Sequence, residues 1–104
     1  MIRYRLSPLA QQDLAGIRDY YLAQGSPRAA RTMLVEFVEA FRALARSPGM
    51  GHKREDLAED RPVLFWPVRD YLVIYRRIHK PIEIVRVVRG SRDISALLRR
   101  APAS

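Results

Sequence analysis

Near residue 62 the hydrophobic period of this chain changes from a long helical stretch to a run of strands, and that change restricts the folds open to it. Before it, apolar residues recur at helical spacing. Ala10, Leu14, Ile17 and Tyr21 stand four, three and four apart; Ala30, Leu34, Phe37, Phe41 and Leu44 stand four, three, four and three apart. Each set marks one face of a helix. Ser7-Pro8 and Ser26-Pro27 precede them, a capping side chain followed by the residue that suits the first helical position. Gln24-Gly25 ends the first helix, and Ser47-Pro48-Gly49 ends the second, which is predicted from Pro27 to Arg46. So short a connection implies an antiparallel helical hairpin with facing apolar stripes. Leu22 and Val35 fall off those stripes and are expected to be exposed.

After the change, Pro62 to Trp66 (PVLFW), Tyr71 to Arg77 (YLVIYRR) and Ile82 to Arg89 (IEIVRVVR) are rich in β-branched and aromatic residues. They are predicted strands, joined by turns at Pro67 to Asp70 and Ile78 to Pro81 into an antiparallel meander. The last is apolar nearly throughout and belongs inside the sheet. At the other end of the chain, Ile2 to Leu6 alternates apolar and basic residues as a half-buried strand does. Asp93 is placed to cap a short final helix from Ile94 to Arg99, and Pro48 to Arg61 forms one long loop. The expected fold is α+β over a single domain, residues 1–104: a strand, an antiparallel helical hairpin packed on a small, mainly antiparallel sheet, and a short C-terminal helix. The far face of the sheet is expected to carry some of the strand arginines and tyrosines.

Composition narrows the function. Without cysteine there are no disulfides and no thiolate metal sites, and a reducing cytoplasm is the expected compartment. His52 and His79 are far apart, so no metal is expected. Gly49 and Gly51 lack the rest of any nucleotide-binding fingerprint, no Gly-x-Ser-x-Gly occurs, and no cofactor is expected. No apolar run suits a signal peptide or a membrane span. The formal charge is +8, almost all of it from arginine, and the segment from Arg76 to Ser104 carries +6 of it. A basic end calls for an acidic partner.

Metal-free RNA cleavage is the enzymatic option to test. Arg76, Arg86, Arg89 and Arg92 supply cations for a phosphate, and Tyr71 and Tyr75 are candidates for stacking a base. The proton-transfer groups are harder to find. His79 falls in a turn, Glu83 reads as a strand-surface charge and Asp93 as a helix cap. Reading of duplex DNA is disfavoured, because Glu36 and Glu39 interrupt the arginines of the second helix.

Four stretches in this order, Tyr4 to Tyr21 (YRLSPLAQQDLAGIRDYY), Arg46 to Leu57 (RSPGMGHKREDL), Phe65 to Arg76 (FWPVRDYLVIYR) and Ile82 to Leu98 (IEIVRVVRGSRDISALL), resemble the ParE branch of the ParE/RelE toxin superfamily. The resemblance implies the toxin of a type II toxin–antitoxin pair that inhibits DNA gyrase by binding and is not an enzyme. It implies a ParD-like antitoxin partner whose N-terminal part is a DNA-binding ribbon-helix-helix and whose C-terminal tail folds on the toxin. Operator DNA is then met only through the antitoxin, and no membrane is involved. Many ParE-like chains have histidine just before the glycine of the Gly90-Ser91-Arg92-Asp93 turn; this chain has Arg89, which cannot act as an ordinary base. The expected target-binding residues are Arg86, Arg89, Arg92, Arg99 and Arg100, and the expected antitoxin-binding residues are Leu22, Val35, Arg76 and Arg77. The alternatives are a RelE-like ribosome-dependent mRNA endoribonuclease and a non-toxic antitoxin-binding partner.

Overall fold

Two serine–proline steps start the two long helices among the residues that the computed structural model describes, 3–54, 56, 62–77, 81–90, 94 and 98. Strand β1 (Tyr4–Leu6) leads into α1 (Pro8–Ala23), whose first turn is capped by the Ser7 side chain accepting from the Ala10 amide at 3.0 Å. The same hydroxyl donates to the Val85 carbonyl at 2.7 Å, tying the cap to the sheet. Helix α1 ends in a tight glycine motif. Gly25 takes φ 78°, its amide donates to the Leu22 carbonyl and the Ser26 amide donates to the Tyr21 carbonyl. Ser26 then caps α2 (Pro27–Arg46) by accepting from the Ala29 amide. Two residues therefore close one helix and open the next.

The sheet contains β2 (Leu64–Val68), β3 (Tyr71–Arg76) and β4 (Ile82–Arg89) besides β1, in the spatial order β1-β4-β3-β2. The last strand lies inside the sheet, as its apolar run predicts. Strands β2, β3 and β4 form the antiparallel meander, and β1 adds in parallel to β4, with Tyr4 opposite Ile82 and Leu6 opposite Ile84. Strand β2 starts and ends two residues later than predicted, so Pro67 and Val68 belong to it and the hairpin turn shrinks to Arg69 and Asp70. Arg69 takes φ 54°, the positive value that a two-residue hairpin needs at its first loop position. Bonds of 2.6 and 2.7 Å from its guanidinium to Glu36 anchor that turn to α2.

The hairpin covers one face of the sheet, α1 against β4 and α2 against β1 and β2. Phe37, Phe41, Leu44, Ile17 and Ala10 are buried there against Tyr71, Val73, Tyr75, Ile84 and Val87. Of the predicted stripe on α2, Leu34 is only half-buried, and its neighbour Met33 occupies the core instead. The far face differs from expectation. It holds an apolar cluster of Val63, Phe65, Ile74, Val88, Ile94 and Leu98, while Tyr71 and Tyr75 point to the helices. Ile94 and Leu98 are helical and 1% and 2% exposed, so they seal this face as a second layer. Met1 and Ile2, the segment 78–80 with His79, and residues 91–93 with Arg92 and Asp93 lie outside the described residues, as do 55, 57–61, 95–97 and 99–104.

The long loop begins as an anchored segment. A single 3₁₀ turn spans Pro48–Met50, and the buried Tyr75 hydroxyl donates to the Pro48 carbonyl at 2.6 Å and accepts from the Gly51 amide at 2.8 Å. A Cβ on Gly51 would stand 2.4 Å from that hydroxyl, so only glycine fits. His52 then pairs with Phe65 in a single bridge on the outer edge of β2. Gly16, by contrast, sits exposed in the middle of α1, and a Cβ there would meet nothing within 4 Å. A helix-interior glycine costs about 1 kcal/mol relative to alanine, and no close approach within the fold requires it.

Candidate functional site

The end of β4 carries the most distinctive side-chain arrangement. Strand β4 holds one more residue than its partner: Ile84 lies opposite Tyr75 and Arg86 opposite Ile74, which leaves Val85 unmatched as a bulge. The bulge reverses the inward and outward sense of the strand. Ile82 and Ile84 face the helices before it, and Val87 and Arg89 face them after it. Arg89 thereby lies opposite Tyr71, with its guanidinium carbon 5.2 Å from the Tyr71 ring centroid and 5.3 Å from that of Tyr20 on α1. Each contact of this kind contributes about 0.5–2 kcal/mol and holds the cation in place without a carboxylate. Tyr20 is 47% exposed at the rim, and Tyr71 is buried beneath it. Burial pushes the Tyr71 hydroxyl up to about 12, helped by a hydrogen bond to Tyr21 and opposed by the charge of Arg89.

Behind Arg89 stands an ion pair that spans helix and sheet. Arg86 donates through Nε and Nη2 to the two oxygens of Asp13 at 2.8 and 2.9 Å, and the Val87 amide donates to the same carboxylate at 2.9 Å. Both side chains are largely buried, at 12% and 13% exposed. The bond to Asp13 holds the Arg86 guanidinium above its ordinary range despite burial. Beyond Leu6 the β1 side of β4 has no strand neighbour among the described residues, and Ser7 and Asp13 of the helix region satisfy polar groups there. A groove of 390 Å³ runs beside this pair, between α1 and β4, with Gly16 and Tyr20 on one wall and Val88 and Arg89 on the other.

The remaining sequence-predicted residues are dispersed. Arg76 pairs with Glu83 across β3 and β4, and its Nε is buried with no hydrogen-bond partner among the described residues. Arg77 is exposed, its guanidinium lying over Gly49. Leu22 and Val35 are 46% and 49% exposed, as their positions off the helical stripes imply. Of the five arginines predicted to meet a target, Arg86 is held by Asp13 and Arg89 faces α1 between two tyrosine rings, while Arg92, Arg99 and Arg100 lie outside the described residues. Tyr71 and Tyr75 are 5% and 0% exposed, so neither offers a ring face on which a base could stack. That part of the ribonuclease expectation is overturned by the alternation of β3, which turns Tyr71, Val73 and Tyr75 together toward the helices.

Two contributors escaped the sequence reading, Asp13 and Tyr20. The signal for both was present. Asp13 is three residues after Ala10 and four before Ile17, and Tyr20 is three after Ile17, so each lies at the margin of the buried stripe. A carboxylate on that margin requires a cation from the sheet.

Residues 4–94 match the family model described as ParE toxin of type II toxin-antitoxin system, parDE. The chain belongs to the ParE toxin family. Among solved structures, this ParE-family chain is similar to one from the chromosomal ParDE TA system of P. aeruginosa, at 24% identity and a TM-score of 0.71 over 86% of this chain and 96% of that one. No curated protein matches it. The span shared with the ParE family contains the bulge, the Arg86–Asp13 pair and the Arg89 cluster, whereas Arg99 and Arg100 follow it. No helix among the described residues is long and apolar enough to cross a membrane.

Proposed function

We propose that this ParE-family protein is a toxin that arrests replication by binding DNA gyrase, without being an enzyme, and that a ParD-like antitoxin neutralises it. In this reading the antitoxin dimerises and binds operator DNA through a ribbon-helix-helix part and lays a C-terminal tail on the toxin. Leu22, Val35, Arg76 and Arg77 are the proposed contacts for that tail. The proposed target contacts are Arg89, Arg92, Arg99 and Arg100, with Arg86 acting from behind by holding β4 to Asp13.

The observation that carries this reading is Arg89. It is a permanent cation, seated between two tyrosine rings at the end of β4. Such a group binds an anion and does not accept a proton. Nearby side chains favour the same choice. The Glu83 carboxylate is engaged by Arg76, and the Tyr71 hydroxyl is held in its protonated form.

Inducing the protein without its antitoxin tests the reading. DNA-damage signalling should rise, supercoiling by purified gyrase should fall, and mRNA should stay intact. Rapid mRNA cleavage with undisturbed supercoiling would replace the proposal with a ribosome-dependent endoribonuclease. The absence of any growth effect would leave a non-toxic partner of an antitoxin. A neighbouring reading frame for a short ribbon-helix-helix protein with an acidic tail is also expected.

A further inference from the structure

The groove between α1 and β4 has two properties that the fold does not use. The first is an unneutralised charge. Arg89 has aromatic rings on two sides, but no carboxylate among the described residues pairs with it. The nearest acid of the groove, Asp13, has both oxygens taken by Arg86 and the Val87 amide. Ring faces attract the charge of a guanidinium, but they leave N–H donors without an oxygen acceptor. The second property is the glycine. Gly16 lines the same groove, weakens its own helix and is unopposed by any atom within 4 Å. A side chain at that position would add bulk to a wall of the groove that Arg89 also lines.

From these we infer that the groove is a docking subsite for a short acidic–apolar peptide segment, which seats one carboxylate on Arg89 and runs its backbone close over Gly16. The inference rests on the reading above that an antitoxin tail folds on this protein, and it names the anchor of that tail. The surroundings favour a peptide over a nucleic acid. Phosphates recur at every nucleotide and need a track of cations, whereas among the described residues the groove offers one cation without a carboxylate, beside Ile17, Val87 and Val88. A single carboxylate can take two parallel N–H bonds from a guanidinium, and flanking apolar side chains suit the Ile17 and Tyr20 wall. Partial burial of Arg89 makes such a pair worth more than one on an open surface. Occupation of the subsite also covers the cation proposed to meet the target, so neutralisation would act by masking Arg89.

The test uses the full chain and three probes followed by NMR: a blocked Leu-Glu-Leu-Leu peptide, its Leu-Gln-Leu-Leu counterpart, and an eight-residue single-stranded oligothymidylate. The Glu peptide should move the Gly16 amide and Arg89 Nε signals and bind about tenfold more tightly than the Gln peptide, a difference near 1.4 kcal/mol. Arg89→Ala should reduce it to the level of the Gln peptide. Gly16→Ala should raise the thermal midpoint of the protein yet weaken the Glu peptide several-fold, a combination that misfolding cannot produce. Equal binding of both peptides, indifference to Arg89→Ala, or preferential movement of the same signals by the oligonucleotide would each overturn the inference. Its failure is separable from failure of the toxin reading. An antitoxin that neutralises the Arg89→Ala protein as well as the parent removes the subsite and leaves the toxin. A Glu peptide that binds as expected, in a protein without effect on gyrase, does the reverse.

Discussion

Asp13 does three things with one carboxylate: it accepts two bonds from Arg86 and one from the Val87 amide. Removing it leaves a largely buried guanidinium and a backbone donor without an acceptor. Asp13→Ala is therefore expected to lower stability by about 3 kcal/mol, read from urea unfolding, and pairing it with Arg86→Met should recover part of the loss. A loss below 1 kcal/mol would show that water replaces the carboxylate freely. Tyr71 gives a second residue-scale expectation. Its hydroxyl is held near 12 in the fold, above the ordinary value of 10.0. A group raised in this way stabilises the fold fully below its unfolded pKa and loses that contribution as pH climbs through the folded one. Stability should accordingly decline from about pH 10 toward pH 12. Tyr71→Phe should flatten the decline in part, since Tyr75 is also raised by burial. Parallel pH profiles for parent and variant would count against this assignment.

At the scale of elements, the corner between the helices contrasts two glycines. Gly25 sits at φ 78° and lets the Leu22 and Tyr21 carbonyls find donors before Ser26 opens α2. Gly16 has no such duty. Gly25→Ala should cost about 1 kcal/mol, while Gly16→Ala should gain a similar amount. Midpoints of chemical unfolding for the two variants should therefore move in opposite directions from the parent. These helix limits were legible because capping serine, first-position proline and terminal glycine act over a few neighbouring residues. The bounds of β2 were less legible: Pro67 reads as a turn, but on an edge strand it forgoes only a bond that no neighbour would receive.

For the whole molecule, both faces of the sheet are covered, one by the helical hairpin and the other by Ile94 and Leu98. Arg89 stands between these layers only as a rim residue, half-buried and held by rings. Function and folding should thus separate there. Arg89→Glu and Arg92→Glu are predicted to weaken toxicity more than they weaken folding, the stability cost at Arg89 being limited to its two ring contacts. Growth curves after induction, set beside thermal melts of the purified variants, make the comparison. Midpoints that fall as steeply as toxicity would mean the two arginines serve the fold instead.

The sequence by itself determined both helices and their ends, the three-strand meander, the interior place of Ile82–Arg89 and the exposure of Leu22 and Val35. Each of these follows from periodicity or from capping and turn chemistry, which act locally. Only the tertiary structure decided which way Arg89 faces. A strand that is apolar nearly throughout has no alternation from which its facing can be read, and the one extra residue at Val85 is visible only against β3. That bulge turns Val87 and Arg89 toward α1, where Asp13 has already engaged Arg86 and Tyr20 and Tyr71 await the free cation.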